Sequence, residues 1–268
     1  MSKLRITVVL TVVALAAFAG IASASHSWGG YHWARTANPF TLKVGDNVTS
    51  AWDGILATTS SDWTASSVLD TTIVAGGAGN VRRCRATDGR VEVCNSTYGN
   101  TGWLGIASIN ITSGSHITSG TVKLNDTYFN TSQYNSTAWR NLVSCQEVGH
   151  TLGLDHQDEN FSNPNLGTCM DYTNNPSTNQ HPNSHDYQQL VTIYSHLDSF
   201  TTVKAIQRQL NNMPPAMRDI DFEGPGQWGK LISVSRDGRQ TVFEQDFGRG
   251  YKVITHVFWA FDVRQPQN

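Results

Sequence analysis

Residues 145–158 read Cys145-Gln146-Glu147-Val148-Gly149-His150-Thr151-Leu152-Gly153-Leu154-Asp155-His156-Gln157-Asp158. They close a run in which Trp139, Leu142, Val143, Gln146 and His150 follow one another in steps of three and four, which predicts one face of a long helix with Ser136 or Thr137 as its N-cap. On that helix Gln146 and His150 lie one above the other, and two donors so placed can chelate one cation. Glu147 sits one step round, able to reach a water at the ion without ligating it. Gly153 can take a positive backbone angle and ends the helix. The turn it makes brings His156 back toward His150 and offers the ion a third face. Zinc suits such donors, because it accepts imidazole nitrogen at about 2.0–2.1 Å and its catalytic sites keep one position open for water. Glu147 is the candidate general base, taking a proton from that water and passing it to a leaving amine.

The stretch matches His-Glu-x-x-His-x-x-Gly-x-x-His at every specified position except the first, where Gln146 stands in place of histidine. Further on, Gly167-Thr168-Cys169-Met170-Asp171-Tyr172 supplies a methionine after the last histidine and a tyrosine two places beyond it. On these residues the chain resembles the metzincin zinc peptidases, and within them a secreted matrixin-like subgroup that carries glutamine at the first ligand position. The resemblance is tight over residues 145–172, loose over 31–198, and does not extend to the C-terminal region. It implies a zincin-like domain with a mixed twisted sheet, an active-site helix, a Met-turn at Met170 and a C-terminal helix. It also implies one catalytic Zn²⁺ held by Gln146, His150 and His156, with Glu147 as base. Tyr172 matches the tyrosine of astacin-like and serralysin-like members, where the phenol helps to stabilise the oxyanion. The segment from Ser184 to Ser195 resembles the third helix of matrixins.

Gln146 is the departure from the pattern. An amide oxygen is a poorer zinc donor than imidazole. Its helical position aims it at the site, so it ranks first as the third ligand. Should it stay off the metal, Tyr172, Asp158 or a histidine from the loop holding His181 and His185 would complete the shell.

Around this segment the chain reads as strands followed by helices. Aromatic and β-branched runs at 31–35, 40–44, 71–75, 90–94, 103–109 and 121–124 predict strands, and a short helix from Asn47 or Thr49 to about Thr58 interrupts them. A helix capped by Ser184 follows the polar loop 158–183. Beyond residue 200, runs at 228–234, 240–245 and 252–260, separated by Asp237-Gly238 and Gly248-Arg249-Gly250, predict a small antiparallel β unit. This order points to an α+β fold with a mixed sheet. The expected organisation is a leader at 1–24, a catalytic domain at 25–199, and a linker with the small β unit at 200–268.

The leader carries Lys3 and Arg5, an apolar run at 6–21 and the small-x-small exit Ala22-Ser23-Ala24, the pattern of a secretory signal peptide. The expected location is extracellular, with no membrane association once the leader is cut. No long pro-segment with an inhibitory cysteine is expected after it. The four cysteines then enter an oxidising compartment, and their flanks favour the pairings 84–94 and 145–169. A net charge of −2 without a basic block speaks against nucleic acid as a partner. The expectation is a monomeric zinc endopeptidase acting on protein or peptide, with structural Ca²⁺ left open. The alternative is a catalytically silent metzincin-like domain that binds an extracellular partner.

Overall fold

The structure is a computed structural model describing residues 26–204, 213–218, 220 and 222–261, so the expected leader lies outside the described residues. The chain is an α+β protein. Its strands are β1 (His32–Trp33), β2 (Phe40–Asn47), β3 (Leu69–Ala75), β4 (Arg90–Ser96), β5 (Trp103–Thr112), β6 (His116–Asn125), β7 (Lys230–Val234), β8 (Gln240–Gly248) and β9 (Tyr251–Trp259). The longer helices are α1 (Asp53–Thr64), α2 (Thr137–Thr151) and α3 (Ser184–Ile193).

One mixed sheet runs β3-β2-β4-β6-β5-β9-β8-β7, with β1 pairing β6 off this path. Strands β2, β3, β4 and β6 pair in parallel, while β5 is antiparallel to β6. The C-terminal strands form the antiparallel unit expected from their turns, and they are also hydrogen-bonded to the rest of the sheet. β9 pairs with β5 from Trp103↔Trp259 to Ile111↔Lys252. The strand period of two decides what β9 does, because successive side chains point to opposite faces. Val253, Val257 and Trp259 enter a cluster with Trp103, Ile106 and Trp228. Ile254 and Phe258 enter the main core, which contains Leu142, Val143, Cys145, Val148 and Met170. His256 lies between Ile254 and Phe258 on that second face, where an imidazole must find partners or be costly to bury.

Local chemistry explains the helices. Ser136 caps α2 through a side-chain bond from the Trp139 N–H. Asn183, one residue before Ser184, caps α3 in a reciprocal capping box with Asp186. α1 begins later and runs further than its apolar spacing indicates. Its last turns are held by tertiary contacts, with Thr59 Oγ1 2.8 Å from Ser144 Oγ and Ser60 Oγ 2.7 Å from Thr71 Oγ1, which outweigh the modest helix propensity of Ser and Thr.

Two glycines set how closely α2 packs. A Cβ at Gly105 on β5 would stand 2.6 Å from Val143 Cγ1 and 3.0 Å from Glu147 Cγ, so the bare glycine lets the helix approach the strand. A Cβ at Gly149 would stand 2.7 Å from both Met170 Sδ and the Trp63 ring. Gly149→Ala is therefore expected to cost about 1–3 kcal/mol through overpacking, lowering Tm by roughly 2–4 °C for each kcal/mol. Differential scanning calorimetry reads this, and an unchanged Tm would contradict the packing. Disulfides join Cys84 to Cys94 and Cys145 to Cys169, as the cysteine flanks indicate. The second ties α2 to the segment carrying Met170.

Candidate metal centre

α2 delivers Glu147 and His150 near its C-terminal end. Gly153, at φ +92°, turns the chain out of the helix. A Cβ there would lie 2.1 Å from the Tyr31 carbonyl oxygen, so the N-terminal segment presses directly on this turn. The Trp28 N–H donates to the Gly153 carbonyl at 2.8 Å, and the Asp155 N–H donates to the His26 carbonyl at 2.6 Å. Clamped in this way, the turn sets His156 Nε2 3.1 Å from His150 Nε2.

A third imidazole completes the group. The His256 ring centroid lies 4.1 Å from that of His150 and 5.1 Å from that of His156. One ligand nitrogen from each of the three lies within 4.8 Å of the others. All are buried, at 1%, 7% and 1% exposure for His150, His156 and His256, so His156 is the member nearest solvent.

Two of the outer nitrogens have hydrogen-bond acceptors, and the third, on His156, lies beside a carboxylate. His150 Nδ1 is 2.9 Å from the Leu154 carbonyl oxygen, His156 Nδ1 is 3.2 Å from Asp155 Oδ1, and His256 Nδ1 is 3.0 Å from Glu147 Oε2. In the tautomer with the proton on Nδ1, His150 and His256 donate outward and leave Nε2 as a bare lone pair. His256 Nε2 is buried with no hydrogen-bond partner, and so is Glu147 Oε1.

Charging the trio by protonation is unfavourable. Two unit charges about 4 Å apart repel by about 4 kcal/mol in a medium of effective dielectric ~20, so adding imidazolium charges is costly. Burial, with the neighbouring imidazoles acting in the same direction, pushes the His150 and His156 pKa values well below the ordinary histidine range. Burial also pushes His256 down to about 3, against a smaller opposing effect of Asp155. Three rings with converging nitrogens form a set of donors suited to a cation. The residues therefore fit zinc, which takes neutral imidazole and is served by carboxylate or carbonyl acceptors behind its histidines.

The sequence-predicted residues divide at this point. His150 and His156 come together. Gln146, expected as the third donor, has both ends of its amide engaged by protein, with Nε2 donating to the Cys169 carbonyl at 2.8 Å and Oε1 accepting from Gln240 Nε2 at 3.3 Å. Its buried amide joins α2 to the Met170 segment and to β8, and His256 stands in the third place of the cluster. Tyr172 lies beside the site, its ring 4.2 Å from that of His156. Burial holds its phenol well above the ordinary tyrosine range, so the phenol keeps its proton.

The other candidates for completing the shell are engaged elsewhere. Asp158 accepts the Asn160 N–H at 2.6 Å, His181 pairs with Asp62 at 2.8 Å, and the His185 ring stacks on His26. Glu147 is fully buried, and burial pushes its carboxyl up to about 8, with His150 pulling the other way. A cation beside it would favour its ionised form.

A cleft of about 160 Å³ reaches the group at His156. Its lining includes His156 and Tyr172, Trp28 and Tyr31 from the N-terminal segment, and Val242 and Ile254 from β8 and β9. The C-terminal strands thus contribute both to the cleft and, through His256, to the cluster.

Comparison with known proteins matches no family model and no curated sequence. Among solved structures, the chain is similar to myroilysin at 12% identity and a TM-score of 0.32, over 60% of this chain and 86% of that one. It is also similar to high choriolytic enzyme 1, a hatching enzyme zinc-protease from the medaka fish Oryzias latipes, at 10% identity and a TM-score of 0.33, over 61% and 94% of the two chains.

Proposed function

We propose that the protein is a secreted, monomeric zinc-dependent metalloendopeptidase whose metal is held by His150, His156 and His256. The observation that carries this reading is the convergence of three buried imidazoles, one ring nitrogen of each within 4.8 Å of the others, at the end of a cleft. When bound, zinc supplies Lewis-acid polarisation of a scissile carbonyl and acidification of water.

The remaining work belongs to the chain's own groups. Glu147 Oε2 accepts the His256 Nδ1–H and fixes that ring. Glu147 Oε1 is the proton acceptor for the attacking water and later returns the proton to the leaving amine. Tyr172, protonated and beside His156, donates a hydrogen bond to the carbonyl oxygen as negative charge develops on it. Gln146 keeps α2 fixed to the Met170 segment.

Secretion rests on the pattern of residues 1–24 and agrees with the two disulfides. No helix among the described residues is long and apolar enough to cross a membrane.

The test uses the mature protein with casein or gelatin as substrate. Expected are bound zinc, cleavage, loss of cleavage on chelation, and its return on adding zinc. Tight zinc binding without any cleavage would overturn the peptidase reading in favour of a silent binding domain. Cleavage indifferent to chelators would overturn the metal.

A further inference from the structure

Outside this centre, a second group of histidines gathers where β1, the start of β6 and the segment after α3 meet. His32 Nε2 lies 3.2 Å from His196 Nε2. Asp198 Oδ1 lies 3.3 Å from His116 Nε2, 3.8 Å from His32 Nε2 and 3.9 Å from His196 Nε2. Donor atoms of His32, His116 and Asp198 lie within 4.8 Å of one another, and His196 Nε2 approaches two of them, His32 and Asp198. A tetrahedral ion with bonds of ~2.0–2.1 Å spaces its donors by about 3.3 Å, close to these separations.

The surroundings orient the donors inward. His32 Nδ1 is 3.0 Å from the Gly30 carbonyl oxygen, an acceptor that places the ring proton on Nδ1 and leaves Nε2 bare. The other carboxylate oxygen, Asp198 Oδ2, accepts from the Arg35 backbone N–H at 3.2 Å and from Arg35 Nη1 at 3.1 Å. Arg35 is itself buried, and its guanidinium lies over the Tyr194 ring. Oδ1 is thereby turned to the imidazoles. Asp198 and His32 side chains are 9% exposed and that of His116 is 16%, while His196, at 52%, leaves the group open to solvent on one side. Hydrogen bonds pair His196 with His32 and His116 with Asp198, and a cation among them would draw these pairs into one group.

We propose that His32, His116, His196 and Asp198 form a second, structural zinc site. Three imidazoles and one carboxylate are a donor set zinc accepts, and four protein ligands leave no open position for chemistry. The site would pin the N-terminal segment, which clamps the Gly153 turn on both sides of His32: the Trp33 indole N–H donates to the Thr151 carbonyl at 2.9 Å, and Trp28 and His26 contact residues 153–155. Its role is therefore to hold the catalytic turn in place from outside.

The experiment measures zinc per chain by elemental analysis on the folded full chain, for wild type, His116→Ala/His196→Ala and His256→Ala. Expected are about two equivalents in wild type and about one in each variant, set by four-ligand and three-ligand sites respectively. The double variant should also show a lower Tm while retaining casein cleavage at low temperature. Should it fail to fold, His196→Ala alone, altered at an exposed ring, is titrated against a competing chelator, and a tenfold or greater loss of affinity for one equivalent is expected. Zinc content unchanged in the double variant, or unchanged affinity in His196→Ala, overturns this site. Loss of an equivalent only in His256→Ala supports the catalytic centre and overturns this one. Loss only in His116→Ala/His196→Ala does the reverse.

Discussion

His256→Ala is expected to lose the zinc of the catalytic centre and with it all chelator-sensitive cleavage. The variant removes one of three imidazoles from a cluster whose remaining pair sits 3.1 Å apart, and it strands the Glu147 carboxylate, whose Oε2 loses its partner at 3.0 Å. Loss of an outer-shell partner alone typically weakens metal binding about 10–100-fold, so loss of a ligand should exceed that. Gln146→Ala is the internal control. Its amide is bonded to Cys169 and Gln240, so the variant should lose stability on the order of 1–3 kcal/mol from the unpaired buried groups while zinc stays bound. Competition against a chromophoric chelator separates the two. Equal zinc affinity in His256→Ala and wild type would sink the assignment, as would a larger loss in Gln146→Ala.

The second large effect concerns Glu147, which is given two tasks. Glu147→Gln keeps an amide oxygen that can accept the His256 Nδ1–H but cannot take a proton. It should therefore retain zinc while kcat falls about 10²–10⁴-fold, the usual worth of a positioned general base. Glu147→Ala removes the acceptor as well, and zinc affinity should fall a further ~10–100-fold. The pair of variants discriminates the roles. If Glu147→Gln cleaves as fast as wild type while Glu147→Ala loses metal, Glu147 only positions His256 and another group is the base.

What the sequence disclosed follows from range. The helix carrying His150, the turn at Gly153 and the return to His156 are set by spacings of a few residues, and the positive φ at Gly153 bears this out. The two disulfides were legible from turn and motif positions. The strands of the C-terminal unit were legible from their alternation and turns.

Their destination was not legible, because β9 joins β5 across a long sequence separation that no local pattern encodes. His256 and Glu147 are 109 residues apart. A local hint existed in Tyr251–Trp259: Ile254 and Phe258 alternate onto an apolar face, and His256 falls between them. A histidine on a core-facing position needs a partner. The Gln146 amide illustrates the converse. Helical phase puts it on the face of His150, yet the Cys169 carbonyl and Gln240, neither predictable from spacing, take up its hydrogen bonds.

Diffraction from crystals of the mature, zinc-loaded protein, recorded at the zinc absorption edge, locates the ion and its ligands. An anomalous peak about 2.0–2.1 Å from a nitrogen of each of His150, His156 and His256 is the expected result. A peak bonded to the Gln146 oxygen with His256 out of reach, or no peak between the three rings, would contradict it.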